Sequence, residues 1–170
     1  MNIAILFASS RYDGNTAALV SELEVEGGNV TSYLLKDYDI TPFDYEHKNE
    51  NDDYLGLVRE LVKYDHVIFA TPVYWYAMSS HLKIFFDRFS DLLSIDKPLG
   101  RKLKGQKCSV VSTGAWGYPP ECFEEVFKLT FDYLGMKYAG MLYCQMASKS
   151  EVSKFQSKIT AFINECVLTS

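Results

Sequence analysis

Residues 2–20 read NIAILFASSRYDGNTAALV, and this stretch decides the fold class because three different patterns follow one another without a break. Residues 2–8 form a nearly continuous apolar run, which is typical of a strand that is buried on both faces of a sheet. Residues 9–15 are polar and include a glycine, as loops do. From Thr16 onward the apolar side chains recur at helical spacing. The stretch therefore predicts a strand, a loop and a helix in that order.

The same alternation of strand and helix patterns continues to the end of the chain. Further strands are predicted at residues 30–35, 66–71, 107–112 and 138–144. The first helix is predicted to end at Gly27 and Gly28, and the second to begin behind Asp52 and Asp53. The third is capped by Ser79 and Ser80, and the fourth covers residues 123–134. The last helix begins at a capping box of Ser148 and Glu151. Five strands alternating with helices predict an α/β domain of three layers, a parallel sheet with helices on both faces, over residues 1–170.

Composition and charge narrow the class of partner. Apolar residues make up 48% of the chain and charged residues 23%, as in ordinary globular domains, and the aromatic share is a high 15%. These aromatic side chains are interpreted either as core residues or as a surface for a flat ligand. The net charge of −5 argues against nucleic acid, which is held mainly by basic surfaces. One local group of basic residues is interpreted either as a solvated loop or as a group that attracts a cofactor phosphate. Its members are Lys97, Arg101, Lys102, Lys104 and Lys107.

The sequence also predicts a cytoplasmic protein that does not enter membranes. The longest apolar run, residues 67–78, is shorter than the ~20 residues of a spanning helix and contains Pro72. The first residues lack the basic segment of a signal peptide. The four cysteines show neither a CxxC pair nor zinc-ligand spacing, so reduced thiols are expected.

The first loop has the residue types of an anion site. Hydroxyl, amide and guanidinium groups stand at the start of the first helix, where free backbone N–H groups and the helix dipole favour a phosphate; a plain helix cap is the alternative. The residues concerned are Ser9, Arg11, Gly14, Asn15 and Thr16. The chain has neither the GxxxxGK[ST] motif of nucleoside triphosphatases nor the GxGxxG motif of dinucleotide-binding turns.

Two further loops follow the third and fourth strands, where ligands of parallel sheets bind. The second loop is Thr71-Pro72-Val73-Tyr74-Trp75-Tyr76-Ala77-Met78-Ser79, with three consecutive aromatic side chains that could lie against a flat ring. The third loop is Ser112-Thr113-Gly114-Ala115-Trp116-Gly117-Tyr118-Pro119, with glycines that permit close approach of the backbone.

Taken together, the three loops resemble those of the flavodoxin-like NADPH-dependent FMN reductase family, which includes quinone and azo reductases. The resemblance covers nearly the whole chain and is most specific in the first loop and in Thr71-Pro72-Val73-Tyr74-Trp75, followed by Leu82-Lys83 and Asp87-Arg88. It implies the flavodoxin-like strand order 2-1-3-4-5. It also implies FMN as cofactor, bound by Ser9, Arg11, Gly14, Asn15, Thr16, Ala17, Pro72, Val73, Tyr74, Trp75, Thr113, Gly114, Gly117 and Tyr118.

The activity that the resemblance implies is hydride transfer from NADPH or NADH to FMN and onward to a small acceptor such as a quinone or free flavin. No catalytic side chain is expected, because the flavin carries the chemistry, and a homodimer is implied. An electron carrier of the flavodoxin type and a non-catalytic flavin-binding protein remain alternatives. The former is disfavoured because such carriers usually lack an arginine like Arg11 in the first loop.

A phosphatase activity, an iron-sulfur cluster and a metal site are not expected, because the chain lacks the residues that each of them needs. Low-molecular-weight tyrosine phosphatases use a cysteine nucleophile in their first loop, where this chain has Ser9. Iron-sulfur members of the resembling family carry a cysteine motif in the region that corresponds to residues 36–53, which here contain no cysteine. His47, His66 and His81 are scattered, so no metal site is expected. Lys83 and Asp87 are predicted to pair on one helix, and Arg88 is interpreted as structural.

Overall fold

A computed structural model describes residues 1–168 of the chain. Its five strands are β1 (Ile3–Phe7), β2 (Val30–Leu34), β3 (His66–Pro72), β4 (Lys107–Gly114) and β5 (Lys137–Gln145). Its α-helices are α1 (Asn15–Glu26), α2 (Tyr54–Leu61), α3 (Ser80–Asp87), α4 (Asp91–Ser94), α5 (Lys97–Gly100), α6 (Glu121–Tyr133) and α7 (Gln156–Phe162). Short 3-10 turns cover Leu35–Asp37, Arg88–Ser90, Arg101–Leu103 and Lys149–Phe155, and a π-helical turn covers Ile163–Val167.

The strands form one parallel sheet in the order β2-β1-β3-β4-β5, which confirms the predicted topology. Residues 3–7 of β1 pair with residues 30–34 of β2 on one side and with residues 66–70 of β3 on the other. All five strands therefore end at the same edge of the sheet, and the loops that follow them meet there. No helix within residues 1–168 has the length and apolar character that crossing a membrane requires.

Helices cover both faces of the sheet, so the predicted three-layer arrangement is confirmed. Side chains of β1 alternate between the faces: Ile5 packs with α1 and α7, and Leu6 packs with α2, α3 and α6. The whole of β1 is buried, which explains why its sequence is a continuous apolar run instead of an alternating one.

The aromatic residues divide between the core and the surface. Phenylalanine rings pack in edge-to-face or tilted pairs on the face of the sheet that α2, α3 and α6 cover, with centroids 5.1 to 6.1 Å apart. The residues are Phe69, Phe85, Phe86, Phe89, Phe127 and Phe131. Several tyrosines and both tryptophans are exposed instead. The interpretation as core residues is thus confirmed for the phenylalanines, and the interpretation as a surface for a flat ligand stays a prediction for the exposed rings.

Several predicted bounds and local structures were wrong. Three members of the basic group, Lys97, Arg101 and Lys102, do not lie in a loop, because α5 and a 3-10 turn cover them and bury Leu99 and Leu103. Asp96 caps α5 by accepting from the Leu99 N–H at 3.1 Å. Lys107 lies in β4. The capping box at Ser148 does not form, since its hydroxyl bonds Ser150. The strands β3 and β4 run one and two residues further than predicted, to Pro72 and Gly114.

A buried ion-pair cluster around Arg88 ties α3 to the segment before α2. The Arg88 side chain is fully buried and pairs with both Asp52 and Asp91. Its guanidinium also donates to the carbonyl oxygen of Thr41 at 3.0 Å and lies over the ring of Tyr54 at 4.8 Å. The predicted structural role of Arg88 therefore agrees with its contacts, and the Lys83–Asp87 pair forms as predicted on the exposed side of α3.

Asp52 is the partner that the sequence identified only as a helix cap. Burial raises the pKa of its carboxyl, but hydrogen bonds from Arg88 and Thr41 outweigh that effect and hold the pKa below its usual value. One oxygen also accepts from the Tyr54 N–H at 3.0 Å, so Asp52 orders the start of α2 as well.

We predict that Arg88→Met lowers the free energy of unfolding by about 3–5 kcal/mol, because it leaves two carboxylates without their buried partner. The matched control is Lys83→Met, which removes an exposed ion pair from the same helix and should cost less than about 1 kcal/mol. Urea denaturation followed by circular dichroism measures both. Equal losses of unfolding free energy in the two variants would show that burial does not determine how much Arg88 contributes to stability.

Candidate functional site

The three predicted loops enclose a cleft of about 220 Å³ at the edge of the sheet where the strands end. Ten of the predicted ligand residues line it: Ser9, Arg11, Gly14, Asn15, Thr16, Pro72, Val73, Tyr74, Thr113 and Gly114. Ala115 and Met146 complete its wall. The fold thus brings together residues up to 137 positions apart in the sequence, from Ser9 to Met146, at one surface site.

The start of α1 forms one end of the cleft and has no side-chain cap. Gly14 occupies the cap position, and its carbonyl accepts the first helical hydrogen bond, from the Ala18 N–H at 3.1 Å. Within the described part of the chain, the amides of Asn15 and Thr16 have no hydrogen-bond partner. Free N–H groups at the positive end of a 12-residue helix attract an anion. No side chain of the loop caps α1, which the alternative of a plain helix cap would require, and anion binding at this position stays a prediction.

Arg11 adds a formal positive charge at the same end of the cleft. Its guanidinium nitrogens Nε and Nη2 lie beside Gly14, each 3.6 Å from the position that a Cβ on Gly14 would occupy. The Ser9 hydroxyl accepts from the Arg11 N–H at 3.2 Å and so orders the turn of the loop. A cationic side chain and helix N–H groups at one place make this end of the cleft suited to a phosphate group.

The side chains of Asn15 and Thr16 are held by other parts of the chain. The Asn15 amide donates to the carbonyl oxygen of Met146, after β5, at 2.7 Å. The Thr16 hydroxyl bonds that of Thr113, at the end of β4, at 2.7 Å. These two residues position the walls of the cleft, and what they present to a ligand is chiefly their backbone N–H. Their predicted contact with a phosphate stays a prediction.

A buried hydroxyl network fixes both ends of the second loop. The Ser79 hydroxyl donates to the carbonyl oxygen of Ala8, at the end of β1, at 3.0 Å. The Thr71 hydroxyl lies 3.2 Å from that of Ser79 and accepts from the Ser79 N–H at 3.0 Å. The Val73 N–H, just after Pro72, donates to the carbonyl oxygen of Thr113 at 2.9 Å. The loop is thus tied to β1 and β4, the strands on either side of β3.

The tip of the second loop is a tight turn in an unusual conformation. Tyr74 and Ala77 exchange both backbone hydrogen bonds, at 2.9 and 3.0 Å. The two residues between them, Trp75 and Tyr76, have φ angles of 46° and 67°. Two positive φ angles define a type I′ turn, which normally takes Asn-Gly, and a bulky residue there costs about 1–3 kcal/mol. Strain of this kind is typical of functional loops.

Aromatic side chains of the second and third loops meet beside the cleft. The rings of Tyr76 and Trp116 stack with centroids 5.5 Å apart and an angle of 13°. Trp75 is 89% exposed and is not among the residues that line the cleft. Exposed aromatic rings therefore lie beside the cleft, and their contact with a flat ligand stays a prediction.

The third loop owes its shape to β5. The Tyr143 hydroxyl donates to the carbonyl oxygen of Trp116 and the Gln145 amide to that of Ala115, both at 2.8 Å. A Cβ on Gly114 would lie 2.4 Å from the Tyr143 hydroxyl oxygen, so glycine is required there for packing against β5. The predicted reason, close approach of the backbone to a ligand, stays a prediction for Gly114, which also lines the cleft.

Four predicted ligand residues lie outside the cleft. Ala17 and Trp75 do not reach its lining. Gly117 and Tyr118 line a separate groove of about 480 Å³ beside β5 and α7, together with Phe162 and Cys166. Met146, which sequence reasoning missed, follows β5, and its position was predictable because parallel strands all end at one edge.

The histidines and cysteines lie apart from the cleft. Within residues 1–168 no group of three histidine, cysteine or acidic side chains could hold a metal ion. His66 is buried, bonds the Ser109 hydroxyl at 2.9 Å, and burial lowers its pKa to about 4, so it is neutral at pH 7. Burial likewise raises the pKa of the Cys108 thiol to about 12 and that of Cys144 to about 11. Cys122 is exposed and contacts the Tyr76 carbonyl oxygen at 3.8 Å.

Comparison with known proteins agrees with this fold. Residues 1–165 match the sequence model of a protein family whose description is "flavodoxin-like fold". The Bacillus subtilis protein YwqN, named as a putative NAD(P)H-dependent FMN-containing oxidoreductase, is 30% identical in an alignment of 152 residues, and the match covers 82% of each chain.

Two solved structures show the same fold at lower identity. The Trp repressor binding protein of Bacillus subtilis superimposes with a TM-score of 0.77 at 21% identity, covering 99% of each chain. An NADPH-quinone reductase from P. pentosaceus superimposes with a TM-score of 0.68 at 16% identity, covering both chains fully.

We predict that Gly114→Ala lowers the free energy of unfolding by about 1–3 kcal/mol, because its Cβ overpacks against Tyr143. Gly117→Ala is the control, since its Cβ would meet only the Gln145 side chain at 3.8 Å and should change little. In a double-mutant cycle by urea unfolding, Tyr143→Phe should cost less in the Gly114→Ala background than alone. If the unfolding free-energy losses of Gly114→Ala and Tyr143→Phe simply add, the proposed clash between the new Cβ and the Tyr143 hydroxyl is wrong.

Proposed function

The chain belongs to the flavodoxin-like fold family, and on that premise we propose that it is an FMN-dependent NAD(P)H oxidoreductase. The named function of its Bacillus subtilis relative supports the cofactor and the nicotinamide co-substrate. For the final acceptor we propose a small two-electron acceptor such as a quinone or free flavin. The cytoplasmic location, the single domain over residues 1–170 and the homodimer stay predictions.

The observation that carries the proposal is the uncapped start of α1, with Arg11 beside it, at the end of the cleft. A phosphate monoester carries close to two negative charges at neutral pH and accepts several hydrogen bonds. The free amides of Asn15 and Thr16, the Arg11 guanidinium and the Ser9 hydroxyl match such a group in charge and in donors. These residues would hold the phosphate of FMN.

The remainder of the cleft suits a chain of hydroxyls followed by a flat ring. Its volume of about 220 Å³ is below the roughly 300–1,000 Å³ of pockets that enclose a drug-sized ligand. The cleft would therefore not enclose a whole mononucleotide, and Val73 and Tyr74, which line it, would contact the enclosed part. A partly uncovered ring suits an oxidoreductase, because a second flat molecule must reach it.

FMN would supply the redox chemistry, accepting hydride from a nicotinamide and passing electrons to the acceptor. The protein's own part is binding and orientation. The network of Thr71, Ser79 and Ala8 keeps the second loop in position, and the Tyr143 hydroxyl does the same for the third. Burial raises the pKa of Tyr143, so its hydroxyl keeps the proton that it donates to Trp116. No side-chain nucleophile or acid is assigned.

We predict that Arg11→Ala weakens FMN binding but leaves riboflavin binding unchanged, since riboflavin lacks the phosphate. Loss of a hydrogen bond to a charged group costs about 1.5–3 kcal/mol, or roughly a 10- to 150-fold rise in the dissociation constant. Titration followed by flavin fluorescence measures both ligands. The control is Lys102→Ala, which removes an exposed charge from the amino-terminal edge of the sheet.

The outcomes separate two kinds of error. If the unmodified protein binds neither flavin, the proposed cofactor is wrong. If Arg11→Ala weakens FMN and riboflavin equally, the cofactor stands and the location of its phosphate is wrong.

We predict that NADH or NADPH rapidly reduces the FMN-loaded protein and that a quinone reoxidises it. The physical reason is access, since the exposed aromatic surface beside the cleft leaves room for a second flat ring. Anaerobic stopped-flow mixing, followed by the visible absorbance of the flavin, measures the rate against free FMN as control. If neither nucleotide bleaches the absorbance within minutes, the reductase proposal fails, and the protein is an electron carrier or a flavin-binding protein without turnover.

A further inference from the structure

Two grooves on the side of the molecule that α6 covers join into one. The first, of about 360 Å³, lies between α6 and the segment that ends in α4, and the second, of about 410 Å³, continues from it toward α5. Leu93, Tyr133 and Leu134 line both grooves, so the two are contiguous. Each volume lies within the roughly 300–1,000 Å³ of pockets that hold small molecules. The joined grooves are therefore large enough for a ligand of their own.

The first groove is apolar. The buried ring of Phe89 lines it, together with Leu93 and Leu129, which are 48% and 62% exposed. Of its two hydroxyl groups, that of Thr130 is already used, because it donates to the carbonyl oxygen of Val126 at 2.7 Å. Among the described residues that line this groove, none is charged. A hydrocarbon chain matches such a lining, since it gains from leaving water and needs no hydrogen bond.

The second groove is cationic. Lys97, Arg101 and Lys104 line it, and no acidic residue does so within the described part of the chain. All three cations are exposed, and within residues 1–168 none of them makes an ion pair. The chain as a whole has a net charge of −5, so this group is a local excess of positive charge on an acidic protein. An anionic group is the partner that such an excess attracts.

Close backbone packing brings the three cations to the groove. A Cβ on Gly100 would collide with the carbonyl oxygen of Leu92, so α5 packs directly on α4 and the cations on either side of Gly100 border the groove. A Cβ on Gly135 would lie 3.3 Å from Cγ of Lys104. The aliphatic part of Lys104 therefore lies along the backbone at the end of α6, which leaves its ammonium group in water and available to a ligand.

We propose that the joined grooves bind a single-chain lipid with a phosphate monoester head, its chain in the apolar groove and its head among the three cations. An apolar part followed by a cationic part along one groove is complementary to the tail and head of such a molecule. A phosphate monoester carries close to two negative charges at neutral pH, so it uses three cations better than a carboxylate does.

The shape of the site favours a single lipid molecule over the surface of a membrane. A flat bilayer surface would meet the exposed side chains of Leu129 and Tyr133 but would leave the groove between α6 and α4 unfilled. The proposal gives a function to the basic group, whose members Lys97, Arg101 and Lys104 do not line the cleft. This inference goes beyond the proposed oxidoreductase activity and does not depend on it.

The probe that tests the proposal is decyl phosphate, titrated into the full chain and followed by the backbone amide signals in NMR. The signals that shift should belong to residues 89–104 and 129–135, with a dissociation constant on the order of 0.5 mM from the usual affinity per atom of a ligand. Butyl phosphate, which lacks most of the chain, should bind at least about tenfold more weakly. Decylphosphocholine, which has the same chain and a net-neutral head, should bind about fivefold more weakly and without the salt dependence of decyl phosphate.

Two variants separate the head from the tail. Arg101→Gln should weaken decyl phosphate binding about three- to tenfold and leave decylphosphocholine binding unchanged, because only the phosphate monoester has a net charge. Leu129→Asn should weaken the binding of both about three- to tenfold, because it makes the apolar groove polar. The matched controls are Lys149→Gln, in the 3-10 turn that packs on α1, and Val25→Asn, at an 81% exposed position of α1. Both should change nothing, and circular dichroism verifies that all four variants fold.

Several results would overturn the proposal. One is that decyl phosphate at about 5 mM, ten times the expected dissociation constant, shifts no signal of the two grooves; a second copy of the chain on this face would give that result. Another is that it shifts residues 9–16 instead, which would place the phosphate in the cleft. Equal binding of butyl phosphate or of decylphosphocholine would reduce the site to an anion site or to an apolar surface. Sedimentation with phosphatidylglycerol vesicles, in the absence of decyl phosphate binding, would make this face a membrane-docking surface.

Discussion

The parallel pairing of β1 with β3 is the constraint on which the candidate site depends. The chain leaves β1 for β2 on one side of it and returns to β3 on the other, so α1 and α2 cover opposite faces of the sheet. The loops after β1 and β3 consequently diverge and leave a crevice between them. The hydrogen bond from the Ser79 hydroxyl to the carbonyl of Ala8 spans the two loops at the base of that crevice. Without this pairing, the start of α1 would not face the aromatic loop.

Rigid surroundings allow the second loop to hold an unfavourable backbone. Trp75 and Tyr76 adopt left-handed conformations that each cost about 1–3 kcal/mol. The buried bonds of Thr71 and Ser79, the paired backbone of Tyr74 and Ala77, and the stacking of Tyr76 on Trp116 offset that cost. Glycine at the same positions would relieve the strain but remove the aromatic surface. The strain is therefore consistent with a loop whose side chains are kept for binding.

Helix α6 illustrates how one element can satisfy two demands. Its phenylalanines fill the core beneath it, while Cys122 on its exposed side contacts the second loop at Tyr76. The exposed side of α6 and the aromatic rings beside the cleft are thus neighbours. The Arg88 cluster supports this layer from inside, because it joins α3 and α4 to the start of α2.

Local patterns in the sequence were sufficient for the class of fold, the number of strands and the three loops of the site, because apolar periodicity and turn residues act over a few neighbouring positions. The strand order and the FMN assignment came from resemblance to a family. Only the tertiary structure decided which side chains meet: Asn15 with Met146, Thr16 with Thr113, Arg88 with Asp52, and Gly114 with Tyr143. It also showed that Gly117 and Tyr118 line another groove and that α5 covers part of the basic group. The partners of these side chains lie tens of residues away, and a hydrogen bond or a steric contact between distant residues leaves no periodic signal in the sequence.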